Sequence, residues 1–288
     1  MEKPCIINNT NNMKPLFPLA MTALGALSLL TGAAGSNPSV SRPVLWENFD
    51  DPSGRFFSGK LDHEKHLELA EGEGVGGSTA LKATYVGYPR GSERIVEPIP
   101  LGTSGTEFTL TYDVRFTEAF QFVISGKLHG LGPKKRVTGG NDMNPEGWSA
   151  RVVWKKEGAP ATYLYVQDKE SPWGVGDTAE TFRFIKGRYH AVSLHVRLND
   201  PASASNGSAS IYVDGRNVVE STGQRFRASD TPDSLIQQFL FSTFHGGNKP
   251  KHAPRDEDGN YTEVVAYFDN IAVREGHYIK PQPGQDVH

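Results

Sequence analysis

The 288-residue sequence lacks the features that cross-link a chain, anchor it in a membrane or bind polyanions over its whole surface. Its single cysteine, Cys5, can form no disulfide within the chain, so a hydrophobic core must stabilise the fold. Its main apolar run, residues 16–30, is short for a membrane span. The formal net charge of −3 argues against a general nucleic-acid-binding protein, because such proteins carry excess basic charge.

The N-terminal region is typical of a secretory signal peptide. Lys14 precedes the apolar run, and small residues follow it at 31–36. We expect residues 1–35 to be a signal peptide whose true start is Met13, because the polar residues before Lys14 add nothing to export. The mature protein is then secreted, with no membrane attachment.

Helical periodicity is nearly absent, and alternation with a period of two dominates from Trp46 onward. In residues 107–116, EFTLTYDVRF, every second side chain is apolar, which is typical of a strand with one buried face. Similar patterns predict strands at 80–86, 120–125, 148–155, 163–167, 190–198, 209–213, 238–244 and 264–273. Asp214-Gly215 predicts a two-residue hairpin turn.

Many short strands separated by glycine- and proline-containing turns favour one all-β domain. We expect residues 36–276 to form a single domain with two antiparallel sheets, a sandwich or a β-jelly roll, with a concave sheet. No internal repeat or long linker divides this region. Residues 277–288 are expected to be a flexible C-terminal tail, and the protein is expected to be a monomer.

Polar side chains share one face of two predicted neighbouring strands. Ser149 and Arg151 alternate with apolar residues on the first strand, and Tyr163, Tyr165 and Gln167 alternate on the second. Lys127 ends another predicted strand and can bring an ammonium to this face. A guanidinium, an ammonium and two phenols together suit an acidic sugar, since arginine binds a carboxylate in bidentate fashion. Exposed strand faces also carry such residues without any function.

Several motifs in order along the chain resemble polysaccharide lyase family 14, which includes alginate lyases and related lyases of uronic-acid polymers. They are Gly126-Lys127-Leu128-His129-Gly130-Leu131, Gly147-Trp148-Ser149-Ala150-Arg151, Tyr163-Leu164-Tyr165, Phe244-His245-Gly246-Gly247 and Phe268-Asp269-Asn270. The resemblance spans about 46–273. It implies a jelly roll with a cationic cleft in which Lys127, Arg151, Tyr163 and Tyr165 are catalytic and Ser149 binds substrate.

The sequence departs from the family pattern at His129, where proline is common, and at His245, where phenylalanine is common. We expect both histidines, with Gln167, to contact the substrate. His252 is a further candidate for the cleft, although a polar loop tip explains it equally well. These departures affect the identity of the substrate more than the type of reaction.

The resemblance implies β-elimination on a 4-linked uronate, which requires a neutralised carboxylate, a base for the C5 proton and an acid for the leaving O4. Tyr165 or Tyr163 is the expected base and acid, with nearby cations lowering the phenol pKa, and Lys127 is an alternative base. The reaction needs no cofactor.

Two other functions compete with this interpretation. A non-catalytic carbohydrate-binding module can use the same fold. A glycoside hydrolase needs two positioned carboxylates, and the E-x-D-x-E strand motif of jelly-roll glucanases is absent. No metal site is expected, because the histidines at 63 and 66 lack zinc spacing and the acidic residues at 256–260 do not fit a calcium loop.

Overall fold

A computed structural model describes residues 42–51 and 57–285 of the protein. Within them the chain forms fourteen strands in two antiparallel sheets, with one four-residue α-helix (α1, Phe57–Lys60) and four single-turn 3₁₀ segments. The predicted signal peptide and Met13 lie outside the described residues. No helix in the described ranges is both long and apolar enough to cross a lipid bilayer.

The larger sheet has nine strands. Its main path runs β12-β11-β10-β6-β14-β3-β2, with β1 paired to β14 and β4 paired to β3. The strands are β1 (Leu45–Glu47), β2 (Leu67–Ala70), β3 (Ala80–Tyr88), β4 (Gly91–Ser92), β6 (Glu107–Phe116), β10 (Tyr189–Arg197), β11 (Gly207–Val213), β12 (Arg216–Gln224) and β14 (Glu263–Glu275).

The smaller sheet has five strands in the order β5-β13-β7-β8-β9. They are β5 (Ile95–Gly105), β13 (Ile236–His245), β7 (Ser125–Gly132), β8 (Ser149–Lys155) and β9 (Pro160–Tyr165). Both sheets also pair strands that are far apart in sequence, such as β6 with β14 and β5 with β13, as the crossing connections of a jelly roll require. The predicted all-β, two-sheet architecture is confirmed.

The core lies between the two sheets and is rich in aromatic rings. Phe116 on β6 and Trp154 on β8 are fully buried, and their ring centroids lie 5.8 Å apart in an edge-on contact. Phe120 packs against both, at 4.7 and 5.4 Å. Large rings bury the most apolar surface per residue, which is how a chain with one cysteine stabilises a sandwich of this size.

The predicted hairpin at Asp214-Gly215 is confirmed. Both residues have positive φ, 50° and 77°, and they join β11 to β12. The predicted strand at 120–125 is wrong, because β7 begins only at Ser125 and the preceding residues turn inward to place Phe120 in the core. The long edge strand β5 was not predicted, because two prolines at 98 and 100 interrupt its alternation.

The predicted flexible tail is wrong over its described part, residues 277–285. The backbone N–H of Lys280 donates to Ser193 Oγ at 3.0 Å, and the N–H of Tyr278 donates to Thr109 Oγ1 at 3.0 Å. The side chain of Lys280 is fully buried and its Nζ lies 2.7 Å from Asp113 Oδ2. The segment therefore docks on the outer face of the nine-stranded sheet through an interior ion pair.

A pair of buried carboxyl groups lies beneath this segment. Asp113 and Asp269 are directly opposed on β6 and β14. Asp113 Oδ2 also accepts from Asn270 Nδ2 at 2.9 Å and from the N–H of Gly284 at 3.0 Å. Burial raises the pKa of Asp113 even though the Lys280 ammonium acts to lower it, and burial raises the pKa of Asp269 to about 7.

Candidate active site

The register of the five-stranded sheet brings the predicted polar residues onto its outer face. Arg151 is directly opposite Tyr163, and Ser149 is directly opposite Tyr165. Lys127 on β7 is opposite Val153, which lies two residues along β8 from Arg151 and so shares its face. Cross-strand partners point to the same side of a sheet, and the opposite side holds the core residues Ala150, Val152 and Trp154.

Lys127 and Arg151 both approach the ring of Tyr163. The Lys127 Nζ lies 3.5 Å from the ring centroid, and the Arg151 guanidinium carbon lies 5.6 Å from it. The rings of Tyr163 and Tyr165 meet edge-on at 5.8 Å, and the Tyr165 hydroxyl accepts the N–H of Gly140 at 2.8 Å. The ammonium, guanidinium and two phenols are thus one contiguous group, called here the site cluster.

Glycine at position 130 makes room for this arrangement. Gly130 pairs with Arg151 across β7 and β8, and the preceding two residues form a bulge in β7. A Cβ placed on Gly130 would lie 2.4 Å from Cγ of Arg151. Any larger residue would therefore push the guanidinium away from Tyr163.

Burial dominates the electrostatics of the site cluster. It lowers the pKa of Lys127 well below its usual value, and the positive charges of Arg151, Lys155 and Arg94 lower it further. Burial also lowers the pKa of Arg151 to about 10. The pKa of Tyr165 rises to about 12, mainly through burial, which outweighs the expected lowering of the phenol pKa by the Arg151 charge.

Two further cations, Lys155 and Arg94, lie close to Lys127 and act on its charge. Lys155 follows Arg151 and Val153 in alternation on β8 and is partly buried. Arg94 stacks on Phe244, 5.1 Å from its ring centroid, and Phe244 is the β13 partner of Lys127. Among the described residues, none of Arg94, Lys127, Arg151 and Lys155 forms an ion pair with a carboxylate.

The family profile of polysaccharide lyase 14 matches residues 89–270, which include every residue of the site cluster. The chain belongs to polysaccharide lyase family 14. It is therefore a lyase that acts on polysaccharides, and the resemblance inferred from the sequence motifs is confirmed. No curated protein sequence matches this lyase.

Solved structures support the fold of the lyase. The marine PL-14 alginate lyase from Aplysia kurodai is 23% identical, with 82% of this chain and 100% of that chain covered and a TM-score of 0.62. The endo-β-1,4-glucuronan lyase from the fungus Trichoderma reesei is 17% identical, with coverage of 85% and 100% and a TM-score of 0.59. An alginate lyase variant in complex with alginate trisaccharide is 24% identical, with coverage of 69% and 82% and a TM-score of 0.59.

Two residues predicted to bind substrate lie instead in the interior of the lyase. His129 is fully buried between the sheets, with its ring centroid 4.3 Å from that of Phe241, and burial lowers its pKa to about 3. His245 is also fully buried, stacks on Phe120 at 5.4 Å and places Nε2 2.8 Å from the carbonyl oxygen of Gln121. Both are neutral core residues facing away from the site cluster.

The other two predicted binding residues lie near the site cluster but bind the chain itself. The buried Ser149 hydroxyl donates to the carbonyl of Val137 at 2.7 Å. The Gln167 amide donates to the carbonyls of Asn144, Gly147 and Phe226 at 2.9–3.2 Å. Both side chains hold the β7–β8 loop in place beside the cluster.

Three further residues, Arg94, Lys155 and Arg136, contribute charge to the site without having been predicted from the sequence. Lys155 was detectable, because it continues the alternation that selected Ser149 and Arg151. Arg94 and Arg136 lie outside any clear alternation, and only the tertiary pairing brings them near Lys127 and Arg151. No group of three or more histidine, cysteine or acidic side chains lies close enough for a metal ion within residues 42–51 and 57–285.

Proposed function

We propose that this lyase is secreted and cleaves a 4-linked uronic-acid polymer by β-elimination, leaving an unsaturated uronate end. The observation that carries the proposal is the set of cations on the site face that have no carboxylate partner among the described residues. Unpaired charge at a partly buried site is unfavourable in the free protein. It becomes favourable when an anionic polymer binds, which makes a polyuronate the fitting substrate.

The structural relatives support the same substrate class. They are lyases of alginate and of glucuronan, which are both polymers of uronic acids, and one of them is in complex with an alginate trisaccharide. Mannuronate and glucuronate share their C5 configuration and differ at C2, whereas guluronate is the C5 epimer of mannuronate. The side from which the C5 proton must be removed therefore differs between guluronate and the other two. The site cluster favours a uronate without choosing between them.

Arg151 is placed to neutralise the substrate carboxylate. Its Nε has no hydrogen-bond partner among the described residues, although the side chain is buried. A guanidinium donating to the carboxylate withdraws charge from the C5 carbon and stabilises the enolate-like transition state. Preorganised donors of this kind contribute about 10²–10³-fold to kcat.

Lys127 is the better base and Tyr165 the better acid. The lowered pKa of Lys127 increases the fraction of neutral amine, which can accept the C5 proton. The C5–H electron pair then forms the C4=C5 double bond as the C4–O4 bond breaks. Tyr165, whose pKa is about 12, remains protonated and can donate its proton to O4. Tyr163 lies between the two and positions Lys127 through its ring.

The test is a panel of alginate, polymannuronate, polyguluronate and glucuronan, incubated with the purified protein. We expect ultraviolet-absorbing unsaturated products from at least one polymer. Lys127→Ala, Arg151→Ala and Tyr165→Phe should lose the activity, whereas Lys249→Ala, an exposed loop lysine, should retain it. Full activity in all three site variants would defeat the proposal.

Two results would favour the competing functions. Binding of a polyuronate without any product would indicate a carbohydrate-binding module. Release of saturated sugars would indicate hydrolysis. Two carboxylates considered for hydrolysis lie away from the site cluster, since Asp113 is on the other sheet and Glu93 binds His66 and Lys65 at the surface.

A further inference from the structure

Trp173 is the one exposed tryptophan of the four in the chain. Its side chain is 52% exposed, whereas Trp148 and Trp154 are fully buried in the core and Trp46 is only partly exposed. Exposing an indole to water is unfavourable, and such residues often mark binding sites. The residues around Trp173 indicate what its exposed indole could bind.

The loop that carries Trp173 is held against the end of β9. Val175 and Leu164 exchange two backbone hydrogen bonds at 2.7 and 2.9 Å, so the chain returns alongside β9. The N–H of Trp173 donates to Ser171 Oγ at 3.0 Å, which fixes the turn before it. The position of the indole is thus set by the backbone on both sides.

Contacts of two glycines show that the indole lies next to Tyr163 and Tyr165. A Cβ on Gly174 would lie 2.8 Å from the ring of Tyr163. A Cβ on Gly140 would lie 2.9 Å from Cζ3 of Trp173, and the N–H of the same Gly140 donates to the Tyr165 hydroxyl. Trp173 is therefore linked to Tyr163 through its chain neighbour Gly174 and to Tyr165 through the intervening Gly140.

A cation lies beside the same turn. Lys169 Nζ donates to the carbonyl of Ser171 at 2.7 Å and lies 5.2 Å from the ring centroid of Tyr165. An exposed aromatic face with an ammonium nearby matches a uronate ring, which has an apolar C–H face and a carboxylate on its edge.

We propose that Trp173 is a sugar-stacking platform that binds the uronate residue next to the one being cleaved. The inference rests on the proposed function for its ligand class. Trp173 contributes to binding in the ground state and the transition state alike, so its loss raises KM without changing kcat.

The first test compares Trp173→Ala and Trp173→Phe with the wild-type protein on the polyuronate that it cleaves fastest. We expect Trp173→Ala to raise KM about 3- to 10-fold with kcat within about twofold, and Trp173→Phe to have a smaller effect. Ile185→Ala is the matched control, because Ile185 is 54% exposed and lies outside the site cluster. A wild-type KM in Trp173→Ala, or a fall in kcat together with Tm, would overturn the inference.

A second test does not depend on turnover. In the Lys127→Ala background, alginate trisaccharide and glucuronan oligosaccharides are titrated while tryptophan fluorescence is recorded. We expect a saturable change that disappears when Trp173→Phe is added, and the absence of any change with both ligands would overturn the inference. If the fluorescence responds but the wild-type protein cleaves nothing, the platform stands and the proposed function fails.

Discussion

Buried cations occur on the outer faces of both sheets. Lys280 on one face is paired with a carboxylate, whereas Lys127 and Arg151 on the other face have no carboxylate partner among the described residues. On the nine-stranded sheet, the Lys280 ammonium lies 2.7 Å from Asp113, which also accepts bonds from Asn270 and Gly284. On the five-stranded sheet, Lys127 and Arg151 have no carboxylate in the described chain. The Lys280 ammonium has its opposite charge within the chain, whereas in our proposal the charge of Lys127 and Arg151 is balanced only by a bound anionic ligand.

The largest difference between the two faces is expected when a charge of the site cluster is removed. Arg151→Leu should lower kcat by about 10²–10³-fold, because a preorganised donor is lost. Its free energy of unfolding should stay the same or rise, since an uncompensated buried charge is removed. Initial rates and urea unfolding measure the two effects. A large loss of stability would show that Arg151 is structural.

Removing a charge from the Asp113–Lys280 pair should instead lower stability and leave activity unchanged. Asp113→Leu should destabilise the protein by about 3–5 kcal/mol, because the Lys280 ammonium stays in the interior after its bonded carboxylate is removed. The double variant Asp113→Leu with Lys280→Met should be less destabilised than the single variant. In both, kcat at low temperature should remain near the wild-type value. A double variant as unstable as the single one would contradict the assigned pairing.

The pH dependence of stability and of kcat should also differ between the two faces. Because the pKa of Lys127 is lowered, the folded protein loses this proton while the unfolded chain still holds it, up to a pH of about 10.5. The wild-type protein should therefore gain stability relative to Lys127→Met as the pH rises within that window. Its kcat should rise over the same window, as the neutral amine forms. A kcat that falls with rising pH there would argue against Lys127 as the base.

Asp269 should have the smallest effect on the pH dependence of stability, and this effect should be opposite in sign to that of Lys127. Its pKa is raised to about 7 in the folded protein, from 3.8 in the unfolded chain, so this residue makes stability fall as the pH rises between those values. Asp269→Asn should reduce that slope, while the raised pKa of Asp113 leaves part of it. Urea unfolding at several pH values across the window measures both slopes, and identical slopes would refute the prediction.

Local alternation was sufficient to predict the class of fold and most of the site cluster. Ser149 and Arg151 share a face by strand periodicity, as do Tyr163 and Tyr165, and this geometry needs only the pairing of adjacent strands. The four residues expected to be catalytic come together in the structure, but their chemical roles remain proposals. Lys127 joins them because β7 is the other neighbour of β8.

The wrong predictions for His129 and for the C-terminal segment both result from contacts between residues far apart in the sequence. The bulge in β7 turns both Leu128 and His129 toward the core, so counting by twos from Lys127 could not place the histidine. The tail looked unstructured because KPQPGQ has no alternation, yet Lys280 is held by a carboxylate 167 residues earlier in the chain. Contacts across such distances leave no local pattern in a sequence.

The ion pair between Asp113 and Lys280 also affects how the protein is made. Strand β6 emerges from the ribosome long before its ionic partner and before β14, which occupies the place beside it in the sheet. During synthesis the growing polypeptide must therefore hold a half-finished sheet with an open edge, the kind of edge that invites aggregation. Recombinant forms that end before β14 should keep this edge open and accumulate in inclusion bodies, even though every residue of the site cluster is present in them.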